Sequence, residues 1–174
     1  MSFSVYGSDH SYVCGVLRQI RLAKLFFPDW SARIYLNSSV PENFVSIMQR
    51  EAEIVLMEDN SPLSTSGMFW RFLVADDNNV DVYCIRDSDS VFTYREAIAV
   101  QKWLSSDKSF CSMRDHEYHG INILGGGLCG RKRIRNIDNL ISNWKNRDQY
   151  QNDQSFLNSK IWPLVKDDVL IYDS

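Results

Sequence analysis

The chain has 174 residues, 44% of them hydrophobic and 24% charged, which suits one globular domain with a sizeable core and excludes a disordered or collagen-like chain. A net charge of −3 supplies no global basic field, so nucleic acid and anionic membranes are not the expected partners. No stretch approaches the roughly 20 apolar residues that span a bilayer, and the first residues lack the basic start and apolar run of a signal peptide.

Residues 3–7 read as a short strand ending at Gly7, and residues 8–11 supply capping groups. Val13, Val16, Leu17, Ile20, Ala23 and Phe27 recur at helical spacing until Pro28. Residues 32–36 form the second predicted strand. Pro41 opens a helix with Phe44, Ile47 and Met48 facing inward, and residues 53–57 give a third strand. A polar, turn-rich stretch over 58–67 leads into a short predicted helix over 68–73. Val80, Val82, Tyr83, Cys84 and Ile85 then make a nearly unbroken apolar run, as expected of a strand buried on both faces.

That run stops at Arg86-Asp87-Ser88-Asp89-Ser90. Thr93 and Glu96 have capping-box spacing, and Ala97, Val100, Trp103 and Leu104 give the following helix an inner face. Residues 110–113 are a further strand, and three consecutive glycines stand at 125–127. Ile134, Ile137, Ile141 and Trp144 mark a helix, residues 153–160 another that closes at Trp162-Pro163, and residues 169–171 a last strand. Trp103, Trp144 and Trp162 fall at inward positions. Cys14, Cys84, Cys111 and Cys129 have neither zinc nor redox spacing and read as buried thiols of a reducing compartment, so the expected location is the cytoplasm of the producing or host cell. The alternation predicts an α/β fold over 1–174 as one domain, with a mainly parallel central sheet and helices on both faces.

Asp87 and Asp89 carry the clearest chemistry. Two carboxylates two residues apart on an extended segment point the same way and can hold a hard cation, Mn²⁺ or Mg²⁺, whose other positions take phosphate oxygens. The pair follows directly on the most buried-looking strand, and ligands of open α/β sheets bind at the carboxyl ends of strands. The cluster Arg131-Lys132-Arg133, near a predicted helix start, is either a solvated basic face or a contact for an anionic partner.

Trp70-Arg71-Phe72-Leu73, then residues 81–85, then Asp87-Ser88-Asp89-Ser90-Val91 resemble the central signature of GT-A-fold glycosyltransferases, most closely the retaining glycogenin and galactosyltransferase type. Leu124-Gly125-Gly126-Gly127-Leu128 stands where that family places a small-residue loop, and Asp153-Gln154 with Asn158 is similar to its Asp-Gln-x-x-x-Asn segment. The chain also resembles short GT-A proteins of bacterial polysaccharide loci and large algal viruses. The resemblance implies a single Rossmann-like domain and a metal-dependent hexosyltransferase of glycan or polysaccharide biosynthesis, using a nucleotide-sugar donor, UDP-linked by preference, with retention of configuration. Asp87 and Asp89 would bind Mn²⁺ or Mg²⁺, with Ser88 between them, and Arg71 would contact the donor sugar or its diphosphate. Tyr6, Gly7 and Ser8 would border the base, Gly125 and Gly126 would leave room for the hexose, and Asp153 and Gln154 would sit near its hydroxyls and anomeric carbon. The family's late histidine ligand is replaced here by Leu170-Ile171-Tyr172-Asp173, which makes Asp173 the substitute candidate.

The acceptor, a glycan or other hydroxyl compound, is not legible, and a homodimer is compatible with the sequence. Under inversion a carboxylate must deprotonate the acceptor, and Asp153 or Asp115 would be that base. Two other readings stay open. In one, Asp87, Asp89, Asp115, His116 and His119 hold metal for a phosphoesterase or nuclease. In the other, the chain is a non-catalytic nucleotide-sugar-binding module.

Overall fold

The computed structural model describes residues 1–58, 65–114, 121–145 and 151–173, with backbone alone at 65 and 66. Three parallel strands come first: β1 (Ser2–Val5), β2 (Arg33–Leu36) and β3 (Glu53–Leu56), ordered β1-β2-β3. The second sheet holds β4 (Tyr83–Cys84), β5 (Phe110–Arg114), β6 (Leu128–Gly130) and β7 (Val169–Asp173), ordered β4-β6-β5-β7. A parallel bridge from Ser2 to Ile85, with the Arg86 amide donating to the Ser2 carbonyl at 2.9 Å, joins the two sheets edge to edge. The strands therefore read β3-β2-β1-β4-β6-β5-β7 across one surface. Among the described strands only β6 runs against its neighbours, pairing antiparallel with both β4 and β5. It is the strand that the sequence does not announce.

Side chains alternate faces with the period of two that a pleated strand dictates. Phe3, Val5, Ile34, Leu36, Cys84, Cys111, Met113 and Cys129 enter one core with α1 (His10–Phe26), α2 (Glu42–Met48) and α3 (Tyr94–Leu104). Tyr35, Tyr83, Ile85, Phe110 and Leu128 enter a second core on the opposite face, with α4 (Ile137–Ser142), α5 (Asn152–Phe156) and α6 (Trp162–Val165). Both faces are thus covered by helices, as the alternating sequence pattern requires.

The α1 helix begins where Asp9 accepts from the Ser11 amide at 2.8 Å. Thr93 and Glu96 close a reciprocal capping box at the start of α3. Residues Thr65–Asp76 wind as a 3-10 helix, and its three-residue turn stacks Phe69, Phe72 and Ala75 fully buried in the second core. Its backbone is anchored on β1 by two serines: Arg71 N–H donates to Ser4 Oγ at 2.8 Å, and Ser2 Oγ–H donates to the Arg71 carbonyl at 2.7 Å. Small hydroxyls on that face let the two backbones approach while satisfying polar groups that burial would otherwise leave unpaired.

Several expectations need correction. Cys14 is exposed on α1, whereas Cys84, Cys111 and Cys129 are buried. Ile47 is exposed, and Val45 takes the inward place beside Met48. Trp103 is fully buried, but Trp144 and Trp162 are half-buried. The helix expected over 153–160 continues through Trp162-Pro163 into α6, by way of a π-helical turn at Leu157–Ile161. A proline has no N–H and crowds the carbonyl four residues back, and the widened turn just before Pro163 accommodates both effects.

Candidate functional site

The carboxyl ends of β1 and β4 lie side by side, and the chain leaves them in opposite directions across the sheet, β1 toward β2 and β4 toward β6. In open α/β sheets ligands bind at such a switch point. Antiparallel β6 begins at this same end, so Gly125 and Gly126 face the turn that follows β4.

Arg71 sits at the centre. Its side chain is only 9% exposed, with Nη1 ion-paired to Asp87 Oδ1 and Nη2 donating to Asp153 Oδ2 at 2.8 Å. The guanidinium carbon lies 5.3 Å from the Phe72 ring centre, and Nε is buried without a hydrogen-bond partner. One cation thus stands between two carboxylates contributed from residues 16 and 82 positions away. Burial pushes the Asp153 carboxyl above its ordinary value; Arg71 and the Gln154 amide pull against that, while Asp87 adds to it. Tyr6, at the end of β1, has its phenol pushed up by burial, with Arg71 opposing, and its ring packs edge-on against Trp70 at 6.0 Å.

The glycine loop fits against this triad. A Cβ on Gly126 would lie 2.0 Å from Asp87 Oδ2, and one on Gly125 would lie 3.0 Å from Arg71 Nη2 and 3.4 Å from Asp153 Oδ2. The space these residues leave is filled by the chain's own charged groups. The Gln154 side chain bridges the loop, accepting from Gly125 N–H at 3.1 Å and donating to the Ile123 carbonyl. Asp153 Oδ1 accepts from the Gln154 amide at 2.8 Å, so both Asp153 oxygens are engaged.

Tyr6, Gly7, Arg71, Asp87, Gly125, Gly126, Asp153 and Gln154 therefore gather at one end of the sheet. Gly7 turns the chain with φ of 75°, a conformation that favours glycine, and its amide donates to Ser39 Oγ at 2.6 Å. Ser8 and Asp89 are exposed, while Ser88 is buried with its carbonyl against Gly15 of α1. Asp173 is not brought to the aspartate pair: its carboxylate takes Nε and Nη2 of Arg114, both at 2.8 Å, and Asp87, Asp89 and Asp173 form no three-ligand cluster among the described residues. Asp115, His116 and His119 lie outside the described residues.

Two arginines of the Arg131-Lys132-Arg133 cluster are committed at the opposite end. Because β6 runs antiparallel, the glycines before it and the basic residues after it fall at opposite ends of the sheet. Arg131 donates to the Leu104 carbonyl at 3.0 Å and to the Ser106 carbonyl at 2.5 Å, and Arg133 is paired with Asp76. A cleft of about 470 Å³ also opens there, beside Trp30, Arg33, Glu53 and Asp81, and contains none of the triad.

Sequence reasoning passed over Ser2 and Ser4, which seat Arg71, and over Arg86 behind the aspartate turn; it read Glu96 as a cap and missed its ion pair with Arg86. The alternation of serine with Phe3 and Val5 was the available signal for the first pair. A charged residue closing an otherwise apolar run was the signal for Arg86.

No protein-family profile matches this chain, and no curated protein matches it by sequence. Among solved structures the chain is similar to TarS 1-349 from S. aureus, a staphylococcal glycosyltransferase, with a TM-score of 0.52 and 11% identity. The match covers 98% of this chain and 58% of that one, and at such identity the likeness is one of fold. No helix among the described residues is long and apolar enough to cross a membrane.

Proposed function

We propose that this protein is a GT-A-type glycosyltransferase that moves a sugar from a nucleotide-sugar donor, UDP-linked by preference, to a hydroxyl acceptor. The observation that carries the reading is the Asp87–Arg71–Asp153 triad, set with its glycine loop at the switch point between β1 and β4. A fold shared with a staphylococcal glycosyltransferase supports it.

Asp87 and Asp89 are the residues that would hold Mn²⁺ or Mg²⁺. Among the described residues no third His, Cys, Asp or Glu joins them, and an ion of this class needs few protein carboxylates because it takes the donor's phosphate oxygens. When bound, such an ion neutralises charge developing on the leaving diphosphate. Arg71 places a buried positive charge beside the same position and fixes Asp87 and Asp153 relative to one another. Gln154 holds the glycine loop against the triad, and Asp153 faces the sugar from the other side of Arg71.

Retention of configuration is the stereochemistry we assign. The resemblance to the retaining type carries that assignment; under inversion a carboxylate would have to take the acceptor proton, and Asp153, held by Arg71 and the Gln154 amide, would be the candidate among the described residues.

A thermal-shift screen against UDP-, GDP-, CMP- and dTDP-sugars, each with and without Mn²⁺, tests the proposal. A donor at about 100 times its dissociation constant adds roughly 2.7 kcal/mol of stability. A metal-dependent rise with one nucleotide class is expected; a folded protein that responds to none of them refutes the donor site.

A further inference from the structure

Arg86, the residue before Asp87, is buried, with a side chain only 7% exposed, and the roles assigned above do not use it. Its Nη1 donates to the Gly126 carbonyl at 2.9 Å and is ion-paired with Glu96. Its Nη2 donates to Ser90 Oγ at 3.2 Å, and Ser90 Oγ–H in turn donates to the Asp87 carbonyl at 3.0 Å. The guanidinium carbon stands 4.7 Å from the centre of the Phe92 ring. One planar fork therefore reaches the glycine loop, the aspartate turn and the start of α3.

The backbone explains why a side chain is needed there. The ladder between β4 and β6 reaches the Ile85 amide bonding the Leu128 carbonyl at 2.8 Å. Beyond that bond, the strands part into the two loops that carry Asp87 and Asp89 on one side and Gly125 and Gly126 on the other. The Arg86 bond to the Gly126 carbonyl bridges the gap from the side. Glu96 supplies the countercharge that makes burial of the guanidinium tolerable, while its carboxylate also accepts from the Thr93 amide at 2.9 Å to cap α3.

We propose that Arg86 is a positioning residue for the donor site, setting the separation between the Asp87–Asp89 turn and the glycine loop, with Glu96 as its counterion. The inference rests on the donor-site reading above. Lysine keeps the charge but not the fork, so Arg86→Lys can hold Glu96 without also reaching the Gly126 carbonyl and Ser90.

The test is calorimetric titration of wild type and Arg86→Lys with UDP, GDP and dTDP, each in Mn²⁺ and in EDTA. The wild type should bind one of them more tightly with Mn²⁺. In folded Arg86→Lys that metal-dependent gain should shrink about tenfold while affinity in EDTA stays close to wild type. A purely structural role would lower the melting temperature and leave the gain of the folded protein intact, and that result overturns the proposal. Should Arg86→Lys fail to fold, Ser90→Ala cuts the link from Arg86 Nη2 to the Asp87 carbonyl while leaving the guanidinium and its Glu96 ion pair in place. A smaller loss of the metal-dependent gain is expected there, and an unchanged gain counts against the proposal. If the wild type binds none of the three nucleotides and not CMP either, the donor-site reading itself fails and takes this inference with it.

Discussion

Gly126→Ala tests the triad most economically. The new methyl would lie 2.0 Å from Asp87 Oδ2, 2.7 Å from its Cγ and 3.1 Å from its amide nitrogen, so the carboxylate has to swing away from Arg71. A hydrogen bond to a charged group contributes about 1.5–3 kcal/mol. Asp87 is 38% exposed, which places this one near the lower end. Gly126 does not have positive φ, so alanine also restricts the unfolded chain and returns about 0.4–1 kcal/mol. The expected net loss is about 1 kcal/mol in urea unfolding. Repeating the change in an Asp87→Ala background removes the side-chain clash and leaves only the 3.1 Å approach to the amide nitrogen, so there Gly126→Ala should cost markedly less. Equal costs in both backgrounds would mean that the glycine serves something other than close approach to Asp87, and the geometry argued for the triad would be wrong.

Asp89 is exposed, so Asp89→Ala should leave unfolding within about 0.5 kcal/mol of wild type while abolishing the Mn²⁺-dependent part of nucleotide binding; unchanged calorimetric affinity would remove it from the site. Asp153 has its carboxyl raised by burial, so the folded chain holds that proton more tightly than the unfolded chain does. Stability is therefore lost as pH rises from the ordinary carboxylate value through the raised one. Asp153→Asn lacks this loss, and its stability relative to wild type should climb over that window and level off above it; a difference that falls with pH would reverse the sign of the burial effect. Thiol labelling of the native protein should modify Cys14 and spare Cys84, Cys111 and Cys129, as read by peptide mass spectrometry. Prompt labelling of a second cysteine would contradict the buried row across β4, β6 and β5.

What the sequence made legible was periodic or local. Phe3 and Val5, Ile34 and Leu36, and the Val13–Ile20 helical face all declare their inward sides through spacing. Thr93 and Glu96 declare a cap through chemistry that a single turn completes. Asp87, Gly126 and Asp153 were individually visible, but their meeting at Arg71 depends on long-range register, set by where β6 pairs. That strand has three residues, two of them Cys and Gly, and it follows a glycine run that reads as loop. Missing it also hid the separation of the Arg131-Lys132-Arg133 cluster from the site, because direction along β6 decides which end each flank occupies. Arg86 escaped notice for a related reason. Its partners Gly126, Ser90 and Glu96 come from three elements, and no spacing rule connects them.

On the proposed reading, the groups around Arg71 bind a nucleotide-sugar with its metal ion. The most direct measurement is a crystal structure of the protein soaked with UDP and Mn²⁺, with the ion located by its anomalous scattering. A manganese peak is expected beside Asp87 and Asp89, with the diphosphate on it and the nucleotide running toward Tyr6. A peak among Asp115, His116 and His119 with none at Asp89, or a nucleotide seated in the cleft beside Trp30, would contradict it.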